Sequence, residues 1–152
     1  MASLEEVLSV FLDQVESVSA GISTEDRKRI TKAEAKVFKN EVEQVTHDKH
    51  YRNRKTGADP HLADSVLMQS NRNGTSSVGW DYSKSRQGHL IENGTKFPLY
   101  TANGRMHKNA GQVAIRGDHF VRKTRQNKRV QKKMLQAGAA EYSQIVRERG
   151  DN

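Results

Sequence analysis

The chain has no cysteine, only two prolines in 152 residues and an aromatic content of 6%. Without cysteine there is no disulfide framework, no thiolate zinc site and no thiol nucleophile. No apolar run approaches the roughly 18–20 residues that span a bilayer. The opening residues, MASLEEVLSV, carry acids where a secretory signal needs bases. A soluble protein made in the cytoplasm, with no membrane partner, is therefore expected. Phosphate-binding glycine loops and a Gly-x-Ser-x-Gly nucleophile context are also absent. The length suits one domain of about 100–200 residues, too short for a barrel enzyme or a two-domain dinucleotide enzyme. Leu, Ile, Val and Phe number 30 of 152, just under the roughly 20% below which chains drift toward disorder. The core must be small.

What is present is charge, unevenly laid out. The net charge is +8, yet residues 1–26 hold six acids and neither Lys nor Arg. Residues 27–55 carry ten bases against four acids, and 104–133 carry ten bases against Asp118 alone. A basic surface attracts nucleic acid, anionic membrane or an acidic partner. With an acidic head on the same chain, copies can also associate head to tail, and such contacts close into a ring where the rotation allows.

The pattern predicts an α+β fold: two N-terminal helices, a small antiparallel sheet with hairpins, a short central helix and a long basic C-terminal helix. Ser3 and Glu6 form a capping-box pair ahead of Leu4, Val7, Leu8, Phe11, Leu12, Val15 and Val18 at helical spacing. Gly21 closes that helix. Ser23 or Thr24 opens the next, which runs to about Val45 on an apolar face that includes Ile30, Val37, Phe38 and Val42. The helical region is thus 1–46, and 47–61 reads as an exposed basic loop. A β-rich core follows over 62–117. Asn73-Gly74 marks a hairpin between strands near 65–70 and 75–80. Residues 88–95 read as a short helical turn. A second hairpin with a long flexible tip is expected near 97–115, and a helix capped by Asp118 over 118–149.

Chemistry is sparse. His47 and His50 flank Asp48, but a catalytic metal needs three convergent ligands, and the neighbouring Arg and Lys residues repel a cation. His89 and Glu92 are one helical turn apart, with no nucleophile beside them. No catalytic, cofactor or metal residue is assigned, and nothing argues for an enzyme. The most polarised feature is Arg122, Lys123, Arg125, Lys128, Arg129, Lys132 and Lys133 on the last helix. These suit contact with phosphates or with a subunit better than sequence reading, which needs a recognisable motif.

Three blocks then stand in order. They are Thr56-Gly57 followed by His61-Leu62-Ala63-Asp64-Ser65-Val66; Gly88-His89-Leu90-Ile91-Glu92-Asn93-Gly94-Thr95; and Gly117-Asp118-His119-Phe120-Val121. In order and spacing they resemble the small tail-component, or tail-completion, family of long-tailed bacteriophages, typified by gene product ten of a lambdoid coliphage. The resemblance covers residues 56–124. Two features depart from the family pattern. Ala58-Asp59-Pro60 is inserted after Gly57, which leaves the register of that block open, and the stretch 96–116 is long.

The resemblance implies a structural protein of the virion neck, joining tail to head. Its copies would form a ring, hexameric or else dodecameric, around the DNA channel. It would contact the head connector or stopper, the tail terminator and passing DNA, and would be assembled in the host cytoplasm. The motif residues would then be structural. Gly94 would allow a tight helix exit, Thr95 would bond the turn backbone, Leu62 and Val66 would anchor the first strand, and Phe120 would pin the last helix. The acids Glu5, Glu6, Asp13 and Glu16 would meet basic surface on the next copy. Arg105, Met106, His107 and Lys108 would lie on an arm reaching a neighbour.

Overall fold

A computed structural model describes residues 21–53, 55, 57–95 and 115–150. The expected first helix with Glu5, Glu6, Asp13 and Glu16 lies outside the described residues. So do Thr56 and the expected arm with Arg105, Met106, His107 and Lys108. Four α-helices and two small antiparallel sheets make up the described chain.

Helix α1, Thr24–His50, opens on a reciprocal capping box. Ser23 Oγ accepts from the Asp26 N–H at 3.1 Å, and the Asp26 carboxylate accepts from the Ser23 N–H at 2.9 Å. The helix outruns the expected end near Val45 because its buried face continues in polar residues. Val42, Thr46 and His50 follow one another at four-residue steps. Thr46 is fully buried and donates to the Val42 carbonyl at 2.6 Å, while the His50 ring packs 4.9 Å from Phe120. The expected loop over 47–61 therefore starts only after His50. It is also tied down, since Lys84, 3% exposed, reaches Asp59 at 2.6 Å.

A 3-10 turn, Ala63–Ser65, leads into the hairpin of β1 (Val66–Ser70) and β2 (Ser76–Trp80). Val66 lies opposite Trp80, and Met68 opposite Val78. One side of this hairpin (Val66, Met68, Val78, Trp80) turns inward, while Leu67, Gln69, Ser77 and Gly79 are exposed. Both strands fall within a residue of expectation.

Helix α2, Tyr82–Asn93, replaces the short turn expected over 88–95. Asp81 caps it, accepting from the Ser83 N–H. Its packed positions are Lys84, Gly88 and Ile91, a helical spacing disguised by residue type. Gly88 is required by close approach, as an added Cβ would stand 2.4 Å from the Trp80 ring.

At the end of α2, β3 (Gly94–Thr95) pairs with β4 (Ile115–Arg116). Ile115 is the one described residue of the expected second hairpin, whose proposed strands otherwise lie outside the description. Instead of one helix over 118–149 there are two, α3 (Phe120–Gln126) and α4 (Lys128–Gly150). Asn127 breaks them with extended backbone at ψ 116°, and its side-chain oxygen accepts from the Arg129 N–H at 2.9 Å. Helix α4 lies antiparallel along α1. Arg149 bonds Asp26, Arg29 bonds Glu141 and Glu148, and Lys133 bonds Glu41. The core gathers Val42, Val66 and Phe120, flanked by Phe38, Val45, Val78, Trp80, Ile91 and Val121. No helix among the described residues is long and apolar enough to cross a membrane.

Candidate interaction surface

The three blocks singled out in the sequence each put a residue into or against one core, Val66 from the first, Ile91 from the second and Phe120 from the third. The Ser65 carbonyl accepts from the Asp81 N–H at 2.8 Å, linking the first block to the start of α2. Carbonyls of Ile91 and Glu92 accept from the N–H groups of Asp118 and His119 at 2.9 and 3.0 Å, linking the second block to the third. Gly94 and Gly117 bring the two backbones into direct contact. A Cβ on Gly94 would meet Ile115 O at 2.3 Å, and one on Gly117 would meet Glu92 O at 2.5 Å.

Helix α3 is not capped by Asp118. Its N-cap is His119, in the left-handed region at φ 54°, with no side-chain cap of its own. Glu92 supplies the cap from another helix, its two oxygens accepting from the Val121 and Arg122 N–H groups at 2.8 and 3.1 Å. An acid at a helix N-terminus is favourable because the free N–H groups there carry partial positive charge. Residue spacing alone could not show a cap supplied across 29 positions.

Asp118 instead gathers a histidine ring and two lysines, with His50 Nε2 at 3.0 Å, Lys123 Nζ at 3.3 Å and Lys49 Nζ at 3.7 Å. Burial pushes its carboxyl up, but the hydrogen bonds from His50 and Lys123 and the nearby charges outweigh this, so it titrates below the usual carboxylate range. A carboxyl lowered in the folded state contributes stability above its unfolded pKa of about 3.9, lost as pH falls through the folded value. Asp118→Asn should cost about 1–2 kcal/mol at pH 7. The gap between the urea midpoints of the two proteins, constant near pH 7, should narrow as pH falls below about 4 toward the folded-state value. A gap of the same size at pH 3 as at pH 7 would show that Asp118 acts by shape alone.

The other motif residues occupy ordinary structural places. Gly57 sits in an exposed turn at φ 60°. Leu62 is half-buried before the 3-10 turn, and Ser65 is buried with its hydroxyl on the Leu62 carbonyl at 2.8 Å. Val66 and Phe120 are core residues. Ile91 packs against that core, and exposed His89 lies edge-on to Trp80. Thr95 departs from expectation: its hydroxyl is buried with no partner among the described residues. His47 stacks on Tyr51 while His50 turns to Asp118, so the pair does not converge. Among the described residues no group of three His, Cys, Asp or Glu is placed to hold a metal ion.

The basic run is split between two helices, with Arg122, Lys123 and Arg125 on α3 and Lys128, Arg129, Lys132 and Lys133 on α4. All seven are exposed. Lys123 is engaged by Asp118 and Lys133 by Glu41. Arg122, Arg125, Lys128, Arg129 and Lys132 have no carboxylate within ion-pair distance among the described residues. Arg125 also stands at the rim of a cleft of about 460 Å³ between α1, β2, α3 and α4. Glu34 also lines it, and burial pushes the Glu34 carboxyl up. Gly138 makes room for Glu34, since a Cβ there would lie 2.4 Å from its Oε1.

Comparison of the chain with models of known protein families, with curated proteins and with solved structures produced no match in any of the three.

Proposed function

We propose that the chain is a structural component of a tailed-phage neck. Copies form a closed ring, hexameric or else dodecameric, between the head connector or stopper and the tail terminator. The ring is assembled in the host cytoplasm and carried in the virion, with DNA passing nonspecifically through its channel. The observation that carries this reading is the exposed row Arg122, Arg125, Lys128, Arg129 and Lys132, unneutralised within the described chain. The same molecule holds six acids and no base over residues 1–26. Charge separated in this way favours one orientation of one copy against the next. Exposed ion pairs are individually worth only about 0–1 kcal/mol, so charge would set orientation and rate while apolar burial holds the ring.

The same unneutralised row favours a second reading, a free nonspecific nucleic-acid-binding protein. Five phosphate contacts would give a slope of roughly −4 to −5 in log affinity against log salt. Native mass spectrometry, with and without short duplex DNA, separates the two. The neck reading expects a closed ring without DNA, lost when Glu5, Glu6, Asp13 and Glu16 are all changed to Lys. Tight, salt-steep DNA binding by the monomer would replace it with the second reading.

A further inference from the structure

We propose that the cleft at Glu34 binds a small organic cation, an ammonium or guanidinium carried on an apolar body. The seam between α1 and α4 is closed by ion pairs that follow the antiparallel register. Asp26 is bonded by Arg149, Arg29 bonds Glu141 and Glu148, and Glu41 is bonded by Lys133. Glu34 stands on α1 between Arg29 and Glu41, and the same register brings Gly138 of α4 against it. A Cβ on Gly138 would overlap the Glu34 carboxyl. Where the seam has room for one more base on α4, the chain has no side chain at all.

Among the described residues Glu34 has neither a hydrogen bond nor an ion pair, although it is half-buried. Burial pushes its carboxyl up, as expected of a charge left without a partner. A glycine inside a helix is unfavourable relative to alanine. A shielded carboxylate without a partner is unfavourable as well. One cause accounts for both, a cation that enters from outside.

The cleft at this gap suits such a ligand. Its volume of about 460 Å³ lies within the roughly 300–1,000 Å³ of small-molecule pockets. Ala35, Phe38, Val78, Val121 and Met134 give it apolar walls. Its Thr31 and Ser76 hydroxyls are already bonded to each other at 3.1 Å. Glu34 is the only acid among the described lining residues and Arg125 the only base. Arg125 lies beyond ion-pair distance of Glu34, so it does not supply the missing cation. A bound ammonium would complete the row of ion pairs while its apolar body covered the walls. The site is read on one chain and stands whether or not copies form a ring.

Phenethylamine and 2-phenylethanol are matched probes, alike in shape and differing in the ammonium. Each is titrated into the full-length protein and followed by amide NMR shifts. Phenethylamine should shift Glu34, Val78, Val121 and Met134 saturably, with an affinity roughly tenfold or more above that of the alcohol. Glu34→Gln keeps the shape of the side chain and should remove that preference. Absence of saturable shifts with the amine, equal affinity for amine and alcohol, or a preference that survives in Glu34→Gln would each overturn the proposal.

Discussion

Phe120→Ala should lower stability by about 3–5 kcal/mol, the cost of emptying a buried aromatic site that cannot collapse. Phe120 is fully buried and is where three layers meet. Its ring lies 5.9 Å from that of Trp80 on the hairpin and 4.9 Å from that of His50 on α1. It is also the first residue of α3, so the same ring that fills the core seats the helix capped by Glu92. For a chain of this size each kcal/mol moves the melting temperature by roughly 2–4 °C. Circular dichroism at 222 nm should show a melting point lower by about 10 °C. Phe120→Leu, which keeps most of the volume, should lose much less. A shift under about 2 °C for the alanine variant would mean the core can rearrange without it.

Gly94→Ala should cost about 3 kcal/mol or more, by two mechanisms acting together. With φ 76° and ψ 179°, the residue occupies a region of backbone space open essentially to glycine alone. A Cβ there would also stand 2.3 Å from the Ile115 carbonyl oxygen and 2.5 Å from the Gly117 nitrogen. Those atoms are backbone and cannot swing aside. The β3–β4 pair would have to part, and with it the contacts of Asp118 and His119 to the end of α2. Urea unfolding gives the magnitude, and Gly79→Ala is the control. That strand position is exposed with nothing near an added Cβ, so its change should stay within about 0.5 kcal/mol. Equal effects at both positions would refute the contact argument.

Much of the fold was legible because it rests on local signals. Ser23 and Asp26 announce the start of α1 three residues apart, and Asn73-Gly74 marks the hairpin whose strands alternate inward and outward. What could not be read is where polar residues occupy buried positions. Thr46 and His50 prolong α1 on its core side, and Lys84 and Gly88 hide the packed face of α2. Apolar periodicity is blind to both, because the burial is satisfied by a hydrogen bond, an ion pair or the lack of a side chain.

The same distinction holds for the surface. The division into an acidic head and a basic segment is a property of residue order, determined before any folding. Which bases remain unpaired is not. Lys123 and Lys133 are taken by Asp118 and Glu41, five and 92 positions away, while the side chains of Arg122 and Lys128 have no ion-pair partner among the described residues. Likewise the cap of α3 belongs to Glu92 rather than to the adjacent Asp118, since α2 ends against the start of α3 and Asp118 is turned toward His50. Sequence by itself determined the start of α1 and the first hairpin with its turn, set by interactions within a few residues, and the charge polarity, set by residue order. Only the tertiary structure decided the break at Asn127, the partner of each charge and the meeting of the three motif blocks, because those depend on contacts between distant residues.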